Sequence, residues 1–445
     1  MEKVSHYLTV SEHAYAPPGG ASSRLVLSGR TGKLLYVPDE VGRDLHAGKV
    51  PATNEALLGE LCAAEILVPA EQDELEALVA RNQRATTDTS TATFTLIPSS
   101  YCNMGCDYCG QTHQRGGLGE EGERATIARI VAAIDRPGLR GIRVTWFGAE
   151  PMTGYKAILR ISDAVVPAAD VRAIDYASYM ATNGTLLSLE RLRALHTRAR
   201  LRSLDVTLDG PAATHDRHRP LLNGRASFRA ITDIIRAALD EPALAGLAWR
   251  LRTNIDNRNA EFVGAYLDEM KRLGFDRPNV SFDLQAVYAW SNDVSAIELE
   301  KELFADLKVS WMVQMLRLGL RFPVVPAKPR PVTCVAMRTT DEVISSTGSV
   351  FACTEHPLVP RHEREDALGR LDMPATQPRR RGSLALFTEH VREKRFPCHQ
   401  CAIFGICGGA CPKHWYEGHP ACPDHKYNMQ ARLDIHAHLQ GMRIL

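Results

Sequence analysis

The sequence predicts an α/β protein in three parts: a partial (β/α)6 TIM-like barrel, a small N-terminal α+β unit of winged-helix type, and a Cys-rich C-terminal region organised by metal. Three observations predict it. Between about residues 93 and 310, six strand-like runs alternate with amphipathic stretches of helical length, the pattern of a parallel sheet with covering helices. Ten of the eleven cysteines fall into two clusters, Cys102 to Cys109 and Cys334 to Cys422. The 445 residues, 44% apolar and 24% charged, exceed one ordinary core and have the balance of a folded globular chain, which excludes wholesale disorder.

Residues 1–92 form the first unit. RLVLSG and KLLYVP make a hairpin around Arg30, Thr31 and Gly32, and TNEALLGELCAAEILVP makes a helix, capped by Thr53 or Asn54, that runs into a short strand. Cys62 stands among Leu57, Leu58, Leu61 and Ile66, the setting of a buried inert thiol. RNQRATTDTSTAT, roughly residues 81–93, has no apolar periodicity and reads as a connector. Residues 93–318 carry the barrel strands FTLIPS, GIRVTWFG, IDYASYMATN, LRSLDVTLDG, WRLRTNID and VSFDLQAV. SSYC, FGAEP, ATNG and LDGP fall at carboxyl ends of these strands, where barrel chemistry sits. Residues 319–445 are rich in Cys, Pro and Gly with weak periodicity, so metal rather than a large apolar core is expected to organise them.

The net charge of +1 gives no electrostatic pull toward nucleic acid or an anionic membrane. No apolar stretch approaches the length of a membrane span, and the start of the chain lacks an apolar signal segment. A soluble cytoplasmic protein is expected, with no nucleic-acid or membrane partner. In such a chain clustered cysteines point to metal rather than to disulfides.

Cys102, Cys106 and Cys109 give CxxxCxxC directly after the first barrel strand. Three thiolates this close surround one centre, and iron–sulfur clusters are held by cysteine thiolates. A four-iron cluster with three protein ligands keeps one iron open, which makes it a reaction site. Structural zinc would want a fourth Cys or His, and the nearest, His113, lies at an unusual spacing. This stretch, with the motifs that follow it, resembles the radical S-adenosylmethionine (radical SAM) superfamily over nearly all of residues 93–425. The resemblance implies a 4Fe-4S cluster on the three cysteines, S-adenosylmethionine as cofactor, and reductive cleavage to a 5′-deoxyadenosyl radical. Gly148, Ala149, Glu150 and Pro151 resemble the family's GGEP segment, which meets the methionyl ammonium; here Ala replaces the second Gly. Thr207 to Pro211, followed by His215, Asp216 and Arg219, resemble its SxDGP and HDxxR patterns. By that resemblance Thr207 contacts the ribose, Arg219 the methionyl carboxylate, Tyr108 the adenine, and Asn183 also faces the cofactor.

The second cluster has Cys334, thirteen residues, Gly348, four residues and Cys353; then Cys398, Cys401, Cys407, Cys411 and Cys422. This spacing resembles the seven-cysteine SPASM extension of peptide-modifying radical enzymes. Two auxiliary four-iron clusters need eight ligands, so with seven cysteines one iron is open or bound by another residue. The resemblance places Cys398, Cys401, Cys407 and Cys422 on a distal auxiliary cluster and Cys334, Cys353 and Cys411 on a nearer, incomplete one, for three 4Fe-4S clusters in all.

The resemblance further implies a ribosomally synthesised precursor peptide with a leader as substrate, a reductant such as flavodoxin or ferredoxin, and an intramolecular carbon–carbon, thioether or ether cross-link as product. The N-terminal unit is similar to leader-recognition elements, whose edge strand takes up an extended peptide; a domain that merely caps the barrel is the alternative. Two other functions stay open. One is a maturase of the anaerobic sulfatase type, forming formylglycine, although its aspartate after the second SPASM cysteine is replaced here by Thr354. The other is a non-catalytic zinc-binding module. Glu355 is the candidate catalytic base, with His356 beside it. Tyr288, Trp290 and Asp293 are candidates for a peptide groove, and Arg379, Arg380 and Arg381 read as a solvated loop.

Overall fold

The computed structural model describes residues 1–372 and 382–445; the arginine run at 379–381 lies outside them. Its centre is a sheet whose first six strands are β1 (Thr91–Leu96), β2 (Gly141–Trp146), β3 (Asp175–Thr182), β4 (Leu201–Thr207), β5 (Ala248–Ile255) and β6 (Val280–Ala286). All pair in parallel with their sequence neighbours, and a helix follows each. These are α1 (Gly119–Ile134), α2 (Tyr155–Val171), α3 (Leu189–Arg198), α4 (Phe228–Leu239), α5 (Val263–Arg272) and α6 (Lys301–Leu318).

Alternation along each strand divides the sheet into two faces. On β4, Leu204 and Val206 are buried in the core, while Ser203, Asp205 and Thr207 line the inner cavity. On β5, Trp249, Leu251 and Ile255 alternate with Arg250, Arg252 and Asn254 in the same way. The helices complete the core with apolar stripes such as Phe228, Ile231, Ile235 and Ala238 of α4. The six expected βα units are present and form the partial barrel: Thr95, Thr145, Tyr179, Ser203, Arg250 and Ser281, one from each strand, face one cavity, yet the sheet has two ends and does not close.

The sheet continues past β1 into the C-terminal region through β7 (Glu342–Ile344), β8 (Ser349–Phe351) and β9 (Gly369–Arg370). β7 runs parallel to β1, with Glu342 opposite Phe94 and Ile344 opposite Leu96; β8 and β9 are antiparallel. Gly319, in the left-handed conformation at φ 73°, ends α6 where this region begins.

In the N-terminal unit, Ser23–Ser28 pairs antiparallel with Leu34–Pro38 around the expected turn. Asn54 caps the helix Glu55–Ala63, its side chain accepting from the Leu57 amide, and Leu67–Pro69 follows as the short strand, paired with Glu2–Val4. Cys62 is partly buried against the unit's own core of Val26, Val37, Leu61 and Ile66.

Two expectations need correction. The supposed connector at 81–93 is mostly ordered: a helix capped by Asp73 runs over Glu74–Thr87 and β1 starts at Thr91. Its buried face starts with Leu78 and Val79, before the supposed connector, and goes on with polar Asn82 and Thr86, while Arg81 donates to the carbonyls of Arg30 and Gly405, so tertiary partners hold the half that has no apolar periodicity. The C-terminal region also has more apolar core than expected, because it shares one with the N-terminal unit. Tyr15, Leu25 and Leu27 pack with Ile403, Ile406, Cys407, Met429 and Leu433, and Arg443–Ile444 pairs with Tyr15–Ala16. Among the described residues no helix is long and apolar enough to cross a membrane.

The shared interface is tight at Gly29, where an added Cβ would lie 1.9 Å from the Ala402 carbonyl oxygen. Gly29→Ala is therefore expected to cost about 1–3 kcal/mol by overpacking, read from chemical denaturation; unchanged stability would show that the two units are not held in this register.

Candidate active site

The loop after β1 carries the first three cysteines and is laced to the segment after the short helix Ala212–His218. The Gly105 amide donates to the Pro220 carbonyl (2.9 Å), Leu222 to Asn103 (3.0 Å) and Cys109 to Cys106 (3.2 Å). The Met104 amide lies 3.5 Å from the Cys102 sulfur, and Asn183 Nδ2 is 3.9 Å from it while donating to Asn103 Oδ1 at 2.9 Å. His113 Nε2 lies 3.9 Å from the Cys109 sulfur.

All three thiols line a cavity of about 970 Å³ on the concave face of the sheet. Tyr108, Gly148, Ala149, Asn183, Thr207 and Arg219 line it too. At Gly148, φ is 110° and a Cβ would meet the Ile97 side chain at 2.5 Å, so glycine is required there. Glu150 is not on the wall. It is wholly buried, and its carboxylate accepts from the Met152 amide (2.8 Å), Thr182 Oγ1 (2.8 Å) and the Asn183 amide (2.7 Å). It thereby ties the end of β2 to the end of β3 and sets the backbone that faces the cavity. Burial pushes its carboxyl up, opposed by those three donors and by Arg219.

Tyr108 belongs to a buried network on the opposite wall. Its hydroxyl donates to Asp209 Oδ2 (2.5 Å) and accepts from Arg219 Nη1 (2.5 Å) and Asn254 Nδ2 (3.1 Å). Asp209 Oδ1 accepts from the Asn254 amide. Arg219 Nε is buried without a hydrogen-bond partner, a donor left over at the cavity. The motif reading did not single out Asn254; its signal was a polar residue on the inward phase of β5.

The same cavity reaches Cys334, Thr354 and Glu355. Tyr288 and Trp290, after β6, bridge to this wall: Tyr288 OH donates to Glu355 Oε1 (3.2 Å) and Trp290 Nε1 to the Glu355 carbonyl (3.0 Å). Asp293 is off the cavity wall and accepts from Ser295. His356 is buried against His362, their rings stacked at 4.7 Å. Cys398, Cys401, Cys407 and Cys422 surround a separate small cavity.

The donor sets suit clusters. None of the eleven cysteines is in a disulfide. Among the described residues, groups of three or more His, Cys, Asp or Glu ligand atoms within 4.8 Å of one another are Glu355–Cys411–His414 and His356–His362–Asp366. The sulfurs of Cys102, Cys106 and Cys109, and those of the distal four, are spread more widely than thiolates sharing one zinc ion, which with Zn–S bonds of about 2.3 Å lie about 3.8 Å apart. Burial pushes the Cys106 and Cys398 thiols up to about 12 and Cys407 and Cys411 up to about 11, so their thiolates require a bound cation.

Exchanging Glu150 for Gln would turn an acceptor into a donor facing backbone amides. Glu150→Gln should cost roughly 1–3 kcal/mol in denaturant titrations; a neutral result would assign the carboxylate no part in holding the two strand ends.

Residues 96–242 match the family model described as the Radical SAM superfamily. No curated protein sequence matches the chain. Among solved structures, anSMEcpe with bound AdoMet aligns at a TM-score of 0.55 and 15% identity, over 79% of this chain and 98% of that one. Native anSMEcpe with bound AdoMet and Cp18Cys peptide gives 0.54 and 17% over the same shares. Streptococcus suis SuiB bound to precursor peptide SuiA gives 0.51 and 12%, over 95% of this chain and 99% of that one. The chain thus carries a radical SAM domain, within a fold shared with anSMEcpe and SuiB.

Proposed function

We propose that this protein is a three-cluster radical SAM peptide maturase that abstracts hydrogen from a ribosomally made precursor peptide and forms an intramolecular cross-link. The observation that carries the reading is the single cavity connecting Cys102, Cys106 and Cys109 with Cys334, Thr354 and Glu355, large enough to hold a cofactor and a peptide segment together. When bound at the first three cysteines, the cluster and S-adenosylmethionine supply a 5′-deoxyadenosyl radical. The chain's own residues position and shield. The backbone at Gly148 and Ala149, the Asn183 amide, Thr207 and the Tyr108–Asp209–Arg219 network form the cofactor wall, and the buried guanidinium of Arg219 suits a carboxylate.

The concave face beyond is polar. Arg250 pairs with Asp205, and Arg252 Nη1 lies 3.8 Å from Asp283, a lining suited to a peptide backbone. anSMEcpe and SuiB were both crystallised with peptides. Leu34–Pro38 pairs with Ser23–Ser28 on one side, and among the described residues its other edge has no strand partner, which supports leader capture by strand addition. Thr354, rather than a carboxylate, follows Cys353 on the cavity wall, which favours cross-linking over formylglycine formation. A flavodoxin or ferredoxin is the proposed electron source.

After anaerobic reconstitution the protein should carry about twelve irons, form 5′-deoxyadenosine under reduction, and remove a pair of hydrogens from its peptide per cross-link, measured by mass spectrometry. Changing Cys102, Cys106 and Cys109 together to Ala should abolish 5′-deoxyadenosine and leave about eight irons. A colourless zinc protein, or undiminished turnover in the triple variant, would overturn the assignment.

A further inference from the structure

We infer that Lys426 sets the reduction potential of the distal auxiliary cluster, donating a charged hydrogen bond to the Cys422 sulfur and so favouring the reduced state. The inference rests on the three-cluster reading above and adds to it a positioning residue outside the cysteine set. Lys426 Nζ lies 3.3 Å from Cys422 Sγ, and Lys426 lines the small cavity that Cys398, Cys401, Cys407 and Cys422 surround. Apart from the four thiols, the wall is Pro397, Ile403, Phe404, Gly409, Trp415 and Pro423, so Lys426 is the one charged side chain on it among the described residues. Cys401 and Cys407 accept from the Ile403 and Gly409 backbone amides, which are neutral donors. Hydrogen bonds to the sulfurs, net charge and exposure set the potential of such a cluster. A bond from an ammonium is about twice as strong as one from an amide, and it strengthens further when an added electron makes the sulfurs more negative.

The backbone holds the lysine in place for this contact. Lys426 closes the short turn Asp424–Lys426, and its amide donates to the Pro423 carbonyl at 3.0 Å. Asp424, at the start of the turn, is gripped by Arg432 of the helix Met429–Leu439 and by Lys308 of α6 at 3.3 Å. The turn is thus pinned to two helices, and the side chain reaches back from it to the sulfur four residues earlier. Lys426 Nζ also stands 5.7 Å from the centre of the Tyr427 ring. Among the described residues no carboxylate pairs with Lys426, so its charge is not neutralised by an acid before it reaches the thiol. The side chain is exposed at its outer end and faces an apolar cavity at its inner end, where one ammonium acts through little intervening water.

The test uses the full-length chain with Cys102, Cys106 and Cys109 changed to Ala, so that iron is confined to the auxiliary sites. It is reconstituted anaerobically and titrated with reductant while electron paramagnetic resonance follows each cluster. This parent should hold about eight irons and show two reduction steps. Adding Lys426→Met, which keeps the length of the side chain but neither its charge nor its donor, should lower one midpoint and leave the other in place. The expected shift is about 59 mV, the one-electron equivalent of a tenfold fall in the reduction constant. Lys426→Arg, which keeps charge and donor, should restore most of it. Lys301→Gln removes a charge whose Nζ meets the Pro420 carbonyl rather than a sulfur and should move neither midpoint. Unchanged midpoints in Lys426→Met, or an equal shift in Lys301→Gln, overturn the inference. Loss of about four irons from Lys426→Met also overturns it, by making the lysine a part of site assembly. About four irons in the parent overturns the three-cluster reading and this inference with it.

Discussion

The arrangement depends on one strand pairing, that of β7 with β1. Only three residues long, β7 is held by more than its ladder. Arg129 of α1 meets Glu342 at 2.7 Å with both side chains buried, Asp341 accepts from the Thr93 amide at 2.9 Å, and Arg338 reaches the Asp88 and Thr91 carbonyls. Ile97, at the end of β1, packs with Val343, Phe351 and Leu358. The region bearing seven cysteines is therefore a continuation of the barrel sheet rather than an appended module, and its residues 333–335, 354 and 355 form part of the cavity wall.

What was legible followed from periodicity and spacing. Six period-two runs with intervening apolar stripes specify the strands and helices because each strand has one oily and one polar face. The structure places Cys102, Cys106 and Cys109 in the loop after β1 and Cys398, Cys401, Cys407 and Cys422 around a small cavity of their own. What was hidden depended on partners distant in sequence. The helix Glu74–Thr87 has its apolar residues, Leu75, Leu78 and Val79, only in its first half, and its polar second half is held by partners distant in sequence. Glu150 carried a motif but not its geometry, since its three donors come from a loop and from β3. The neighbours that give Glu355 its setting, Lys413 and His414, lie some sixty residues further along, where no local pattern connects them.

The cavity combines two kinds of wall. Around the first cysteine loop, polar groups are locked to one another, as in the Tyr108–Asp209–Arg219–Asn254 set, so little side-chain freedom remains to be lost when a cofactor binds. Across the concave sheet, ion pairs such as Arg250–Asp205 are partly exposed, and such pairs exchange partners at small cost. Rigid geometry is thus concentrated at the first cysteine loop, where the proposed function would aim a radical, and adaptable polarity across the concave sheet, where it would seat a peptide.

Cys407 belongs to two constructions at once, packed with Tyr15, Leu25 and Leu27 as an apolar residue and facing the small cavity with Cys398, Cys401 and Cys422 as a thiol. During synthesis the opening strands must wait, with an oily flank bare, until this distant stretch emerges to cover it. On the proposed reading, a cluster bound through Cys407 would also brace the packing of the N-terminal strands, so poor iron supply would be felt as a sticky, half-finished surface at the other end of the polypeptide.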